Sequence, residues 1–314
     1  MTSKNNSLNN EKELLSTVNY QQSTVMGSRS TVHNFISLVK FSHTIFAMPF
    51  AIIGFFLAVK YAGYGFSWWL FGEVLLCMVF ARNAAMAFNR YIDREIDMQN
   101  PRTALREIPA GIINPKSALM FVFLNALLFI FTTALINHLV LYLSPIALLV
   151  VLGYSLTKRF TSLCHFVLGL GLSLAPIGSY LAVTGSFHWL PVIFSFVVLG
   201  WVSGFDIIYA LQDEEFDRDK SLNSIPVRLG RKGAIVLSTV LHIFSALLVV
   251  LAGWLAGFGL FYWIGTAVFS LLLIYQHLLV KPNDLSRVNM AFFTFNGVAS
   301  VTFAFFVILD FFVK

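Results

Sequence analysis

The chain has 314 residues, of which 58% are hydrophobic and 11% are charged, and its formal net charge is +6. This composition excludes an ordinary water-soluble domain and is typical of a polytopic membrane protein. The positive charge does not indicate nucleic-acid binding, because no aromatic-basic RNA motif accompanies it. Only Cys77 and Cys164 are present, both in apolar surroundings, so neither a disulfide framework nor a paired-cysteine metal site is expected.

The first segment, residues 1–30, is rich in Ser, Asn and Thr and lacks an apolar core. This pattern predicts a disordered cytoplasmic tail and excludes a signal peptide or membrane span there. We expect residues 31–314 to form one membrane domain. Its apolar stretches are each close to the ~20 residues that cross a hydrocarbon core. These stretches are 44–60, 67–88, 118–136, 139–157, 163–184, 189–210, 234–256, 259–280 and 289–312.

The basic residues predict the orientation of these spans. Of the 21 Lys and Arg residues, most lie in the N-terminal tail or in the loops after the second, fourth, sixth and eighth spans. Under the positive-inside rule, this distribution places the N-terminus in the cytoplasm and the C-terminus outside. We therefore expect an integral protein of the cytoplasmic (inner) membrane.

Two acidic clusters interrupt the apolar pattern, each at the end of a predicted span. The first contains Asn89, Asp93 and Asp97, and the second contains Asp213 and Asp217. Four residues turn a helix by about 400°, so the members of each cluster lie on nearly one face. We expect an all-α polytopic membrane protein with about nine transmembrane helices. Both clusters would then face the cytoplasm at the mouth of a central cavity that is open to that side.

The paired carboxylates predict Mg²⁺ binding beside a diphosphate. Mg²⁺ prefers hard oxygen ligands and commonly bridges carboxylates to substrate phosphates. Basic residues on the same side of the membrane would contact the other phosphate oxygens, arginine through paired N–H groups. These residues are Arg102, Arg106, Lys158 and Arg159. Neutralising the diphosphate makes it a good leaving group, and an isoprenoid tail would lie in lipid or in an apolar groove.

Three blocks of sequence, at 89–111, 154–159 and 206–217, resemble the motifs of the UbiA superfamily of membrane prenyltransferases and occur in the family order. The matching positions are Asn89, Asp93, Asp97, Arg102, Thr103, Arg106, Pro109, Gly111, Tyr154, Lys158, Arg159, Asp206, Tyr209, Ala210, Gln212, Asp213, Glu215 and Asp217. Any one block is a weak signal, whereas the three together are specific.

The resemblance implies Mg²⁺-dependent transfer of a polyprenyl group from polyprenyl diphosphate to the ring of an aromatic quinone precursor, a 4-hydroxybenzoate-type acceptor. It implies that Asn89, Asp93, Asp97, Asp213 and Asp217 hold the metal, with the four aspartates as catalytic residues. Lys158 and Arg159 would touch the diphosphate. A second resemblance, at 43–50 and 82–90, points to a subgroup that includes proteins of menaquinone synthesis. In those proteins the acceptor is 1,4-dihydroxy-6-naphthoate, and the sequence leaves both acceptors open.

Four further residues are candidate acceptor contacts. Arg82 and Asp206 lie within predicted spans, where an ionisable side chain is costly and usually functional. For Arg82 the partner is either an acceptor carboxylate or an internal acid, and for Asp206 the alternative is a structural hydrogen bond. Tyr154 either orients substrate or packs, and His43 is either functional or a residue of the membrane boundary.

The main non-enzyme alternative is a cation-coupled carrier, because intramembrane acids and nine helices also suit transport. The acids cluster at one membrane boundary and not at the midplane, which favours the enzyme. The expected partners are a polyprenyl diphosphate, a small aromatic acceptor and the lipid bilayer. Neither nucleic acid nor an obligate protein partner is expected.

Overall fold

The computed structural model describes residues 31–39 and 46–313. The predicted tail at 1–30 and the candidate residue His43 lie outside this part of the chain. The described residues form α-helices joined by short turns, and they contain no β-strand. The helices are α1 (Thr31–Leu38), α2 (Met48–Phe56), α3 (Trp68–Ile92), α4 (Arg94–Gln99), α5 (Pro115–Ile136), α6 (His138–Thr157), α7 (Cys164–Thr184), α8 (Trp189–Ala210), α9 (Glu214–Asp219), α10 (Ile225–Ala256), α11 (Leu260–Leu279) and α12 (Asn296–Val313).

Eight helical segments within 46–313 are long and apolar enough to cross a membrane. They are formed by α3, α5, α6, α7, α8 with α9, α10, α11, and α12 with the turn before it. A further apolar segment, Met48–Tyr61, is shorter and combines α2 with a wider helical turn. The predicted all-α polytopic fold is confirmed, and about nine helices is a fair description of these eight spans and one shorter helix.

A short helical segment precedes the seventh predicted span, 234–256. Helix α10 begins at Ile225, nine residues before the predicted start of the span. Its first residues form a separate turn, because Gly230 interrupts the helical path with φ 67° and ψ 172°. Glycine adopts this left-handed region at little cost, so the kink separates a short first segment of α10 from the membrane span.

Polar residues cap several of the helix ends. The side-chain oxygens of Asn114, Asn137 and Ser224 accept hydrogen bonds from backbone N–H groups at the starts of α5, α6 and α10. These bonds satisfy donors that have no partner inside the helix. At the other end, α7 and α10 stop at Gly185 and Gly257, with φ 64° and 62°.

One side of the bundle is closely packed. Helices α2, α8, α10, α11 and α12 surround a buried aromatic cluster that includes Phe50, Trp201, Tyr262, Phe269 and Phe303. The Phe303 ring lies 5.2 Å from that of Phe269 and 5.9 Å from that of Tyr262. Such pairs add to the free energy of burying each ring, so this cluster is the structural core.

Several polar groups within this packed side are hydrogen-bonded inside the protein. The Trp201 ring nitrogen donates to the side-chain oxygen of Asn296 at 3.0 Å. Asp310 accepts bonds from the backbone nitrogens of Gly259 at 2.7 Å and Tyr262 at 3.2 Å. Asp310 therefore caps the start of α11 from a neighbouring helix, which accounts for a buried acid far from the acidic clusters.

The opposite side of the bundle encloses an open cavity of about 660 Å³. It is lined by α3, α6, α7, α8 and the end of α5, and it follows one face of α6 from Val140 to Lys158. At 1.5 Å per helical residue, this face is about 27 Å long. The predicted central cavity is confirmed, whereas the side of the membrane to which its mouth opens stays a prediction.

Candidate active site

The first acidic cluster lies where α3 passes into α4. The Asp93 N–H donates to the carbonyl of Asn89 at 3.0 Å, and the Asp97 N–H donates to that of Asp93 at 2.7 Å. The helical path therefore continues through the break at Asp93. The side chains of Asn89, Asp93 and Asp97 all line one end of the cavity, as their spacing predicted. The Asn89 amide also donates to Asp93 Oδ2 at 3.1 Å.

The second acidic cluster follows α8. A tight turn at Leu211–Asp213 leads into α9, which places Asp213 and Asp217 on the same cavity. Asp213 is buried and Asp217 is completely buried. Buried carboxylates are rarely tolerated without a cation or hydrogen-bond donors beside them. Both are therefore candidate ligands for a positive charge.

Two consecutive basic residues join the clusters. Lys158 Nζ lies 2.7 Å from Asp217 Oδ1, and Arg159 Nη2 donates to Asp93 Oδ1 at 2.9 Å. Both residues follow the end of α6, where the Lys158 carbonyl accepts a bond from the Asn223 N–H at 2.8 Å. Adjacent side chains thus contact one acid of each cluster, so the two clusters form opposite sides of one site.

The loop after α4 supplies the other two predicted cations. Arg102 binds Asp213 through two nitrogens, with Nε 2.9 Å from Oδ1 and Nη2 2.5 Å from Oδ2. Arg106 donates to Asp97 Oδ1 at 2.6 Å. The fork of Arg102 matches the carboxylate geometry that also suits a phosphate. All four predicted diphosphate-binding cations therefore lie within the site.

Burial and charge pairing shift the pKa values of two of these groups. Burial raises the pKa of Asp93 above its ordinary value, although Arg159 acts in the opposite direction. Burial lowers the pKa of Arg102, but the hydrogen bonds and charge of Asp213 outweigh it, so the net shift is upward. Arg102 is therefore permanently charged, and Asp93 gains from any further positive charge beside it.

The donor set fits a magnesium ion that takes few ligands from the protein. Over 31–39 and 46–313, no group of three or more His, Cys, Asp or Glu side chains comes together as a metal site. The acids instead form two sets, and Asp97 Oδ2 is buried without a hydrogen-bond partner. Because Mg²⁺ keeps several water or phosphate ligands, two sparse oxygen sets suit it. Asn89, Asp93, Asp97, Asp213 and Asp217 are the residues that would hold it.

Three of the four candidate acceptor residues line the same cavity. Arg82, Tyr154 and Asp206 lie beyond the acidic clusters, towards the apolar part. Arg82 Nη1 donates to the carbonyl of Val39 at 3.0 Å. Asp206 Oδ2 lies 2.7 Å from Nδ1 of His165. The structure therefore brings these three candidates to one place, and their roles stay predictions.

Sequence reasoning missed three polar residues of this cavity. Asn100 donates to Asp213 Oδ1 at 3.1 Å, Arg90 is buried at the cavity wall, and His165 contacts Asp206. The Asn-Pro pair at 100–101 was a usable turn signal, and Arg90 lies inside the first motif. The single histidine in α7 carried no signal, because its partner lies 41 residues away.

Comparisons with known proteins agree with this architecture. The model of the UbiA prenyltransferase family matches residues 47–298. The 4-hydroxybenzoate octaprenyltransferase of Aliivibrio fischeri strain MJ11 is 30% identical over 239 residues, covering 75% of this chain and 82% of that protein. The apo structure of a UbiA homologue from Aeropyrum pernix K1 has a TM-score of 0.78 at 32% identity, covering 85% of this chain and 98% of that one.

A UbiA homologue from Archaeoglobus fulgidus, bound to DMAPP and Mg²⁺, shares the fold with a TM-score of 0.69 at 19% identity. That match covers 90% of this chain and all of that one. The bundle and its relatives define a polytopic membrane transferase. The chain belongs to the UbiA prenyltransferase family. The resemblance seen in the motifs is thereby confirmed, and the enzyme interpretation prevails over the carrier.

Proposed function

We propose that this protein transfers a polyprenyl group from a polyprenyl diphosphate to the ring of a 4-hydroxybenzoate-type acceptor in respiratory quinone biosynthesis. One observation carries the proposal: Lys158 and Arg159 join two acidic clusters at the polar end of a long apolar cavity. A ligand with an anionic head and an apolar chain fits both parts of such a cavity. The relatives named 4-hydroxybenzoate octaprenyltransferase support the same substrate pair.

At the polar end, the cations act on the diphosphate. Arg102, Arg106, Lys158 and Arg159 exchange their carboxylate partners for phosphate oxygens, and the carboxylates that they release are then available to hold a metal ion. Mg²⁺, held by the two acidic clusters, would neutralise the negative charge that develops on the leaving diphosphate. The DMAPP- and Mg²⁺-bound homologue supports the use of this metal.

The apolar part of the cavity accommodates the isoprenoid chain. Val140, Leu143, Ala147, Val150 and Val151 of α6 line it at three- and four-residue spacing, which is one face of the helix. Without charges along this face, a prenyl chain is removed from water over the length of the membrane span. The Lys and Arg distribution supports a mouth, and hence an active site, that faces the cytoplasm.

The acceptor lies between the diphosphate end and the apolar end. Arg82 is a cation that can bind a carboxylate there, since it lines the cavity about two helical turns before Asn89. Both 4-hydroxybenzoate and 1,4-dihydroxy-6-naphthoate are phenolic aromatic carboxylates. The position of Arg82 therefore supports a phenolic aromatic carboxylate as the acceptor. The assay below distinguishes 4-hydroxybenzoate from 1,4-dihydroxy-6-naphthoate.

The test uses washed membranes that carry the full chain, a long-chain prenyl diphosphate and Mg²⁺, with the two acceptors offered separately. We expect a lipid-soluble product of the prenylated mass with 4-hydroxybenzoate, abolished by EDTA and absent from matched membranes carrying Asp213→Asn. Product with the naphthoate alone would assign the menaquinone alternative. Absence of product with both acceptors would overturn the proposal.

A further inference from the structure

A histidine–aspartate pair lies in the cavity wall beyond the acidic clusters. His165 of α7 is 4% exposed, and its Nδ1 is 2.7 Å from Oδ2 of Asp206 on α8. Both residues line the cavity. A fully structural pair would be closed off from substrate, whereas 21% of the Asp206 side chain is exposed. This pair therefore presents an acid to whatever occupies the cavity.

The backbone determines which nitrogen of His165 carries the proton. Nε2 lies 3.3 Å from the N–H of Ile225, which can only donate, so Nε2 accepts. Nδ1 is therefore the nitrogen that donates to Asp206 Oδ2. A bond from Ser203 Oγ to the His165 carbonyl, at 3.2 Å, helps to fix the start of α7. Asp206 is thus held in one orientation by this hydrogen bond.

The second oxygen of Asp206 has a different environment. Oδ1 has no hydrogen-bond partner among the described residues, and the cavity is the open space beside it. A carboxylate with one oxygen anchored and the other free has the arrangement of a general base. Because it is separate from the carboxylates that pair with the diphosphate-binding cations, it can act on the acceptor.

We propose that Asp206 is the catalytic base for the acceptor ring, and that His165 is its positioning residue. This proposal rests on the proposed function. In the reaction, the bond between prenyl C1 and the diphosphate oxygen breaks and a bond from C1 to the ring carbon forms. The diphosphate leaves with the electron pair of the broken bond. The ring proton at the alkylated carbon then passes to Asp206 Oδ1, and the electrons of that C–H bond restore the aromatic ring.

The experiment compares the purified full chain with Asp206→Asn, using geranyl diphosphate, Mg²⁺, and 4-hydroxybenzoate with or without deuterium on the ring. We expect kcat of Asp206→Asn to fall about 10²- to 10⁴-fold, which is the usual contribution of a general base to the rate. The KM for geranyl diphosphate should stay near the wild-type value. The deuterated acceptor should react more slowly than the ordinary one in the variant, because proton removal then limits the rate.

His165 gives a second test that does not depend on the folding of the aspartate variant. His165→Asn keeps an N–H donor near the position of Nδ1, whereas His165→Leu removes it. We expect His165→Leu to lower kcat and reveal the isotope effect, and His165→Asn to restore most of the rate. Glu95→Gln, at a side chain that is 74% exposed, is the control.

Several results would contradict the proposal. The role of Asp206 would be overturned if Asp206→Asn kept the wild-type kcat. It would also be overturned if Asp206→Asn and His165→Leu both lost rate without showing an isotope effect. In that case the wild type still makes product, so the proposed function stands. A wild type that forms no product with either phenolic acceptor would overturn both.

Discussion

The packed side and the cavity side of this bundle differ in how they treat polar groups. On the packed side, polar atoms such as the Trp201 ring nitrogen and the Asp310 carboxylate are buried and bonded within the protein. On the cavity side, Lys158 and Arg159 pair with acids but keep about a third of their side chains exposed. The hydrogen-bonded groups of the packed side stabilise the fold. The ion pairs of the cavity side can exchange a carboxylate partner for a ligand.

Helix α8 belongs to both sides and shows the difference within one element. Trp201 faces the aromatic core, and Asp206 and Tyr209 line the cavity. Tyr209 also stacks on Phe292 with ring centroids 4.1 Å apart, which connects the two sides. We therefore expect stability and turnover to depend on separable sets of residues.

The largest effect is expected at the acidic clusters. Asp93→Ala and Asp213→Ala should each lower Mg²⁺-dependent turnover by at least about 100-fold, because each removes charge stabilisation of the leaving diphosphate. Thermal unfolding of the purified variants should stay close to that of the wild type. Glu215→Ala is the matched control, since its side chain is 85% exposed beside the same cluster. Normal turnover in either aspartate variant would contradict the two-cluster site.

A substitution in the aromatic core of the packed side should have the opposite effect, lowering stability and not turnover. Phe303→Ala should destabilise the protein by about 3–5 kcal/mol, because it leaves a cavity in the aromatic core. Thermal unfolding in detergent measures this loss, with Phe305→Ala as control because that ring is 60% exposed on the same helix. The kcat per folded molecule should not change. A larger loss of kcat than of stability would show that the two sides are not separable.

Arg82 tests the acceptor end of the cavity. Arg82→Ala should raise the acceptor KM about 10- to 100-fold, since a hydrogen bond to a charged group contributes about 1.5–3 kcal/mol. The KM for prenyl diphosphate should change far less. Steady-state kinetics with each substrate varied in turn measures both values. Equal changes in the two would count against an acceptor role.

The smallest effect is expected for Arg102→Lys. Lysine keeps the positive charge but loses the planar fork that binds Asp213 through two nitrogens. We expect a loss of about tenfold or less in kcat/KM for prenyl diphosphate, measured beside Arg102→Ala, which should lose more. If lysine and alanine were equally impaired, the charge of Arg102 would not be what binds the diphosphate.

The sequence predicted most of this architecture because membrane spans and isolated charges are local signals. The span expected at 139–157 is observed as His138–Thr157, and the four-residue spacing correctly placed Asn89, Asp93 and Asp97 on the cavity. The pairing of Asn100 with Asp213 spans 113 residues and has no local signature. The kink at Gly230 was missed because one glycine gives no sign of its φ angle.

The charge balance of the site has a consequence for how its ligands bind. Four carboxylates, Asp93, Asp97, Asp213 and Asp217, are matched by the four cations Arg102, Arg106, Lys158 and Arg159. A diphosphate alone would displace these carboxylates from their partners, and a divalent cation alone would compete with those partners. Bound together, the two ligands would largely neutralise each other's charge. We therefore expect their binding to be thermodynamically linked, so that each raises the affinity for the other by the same factor.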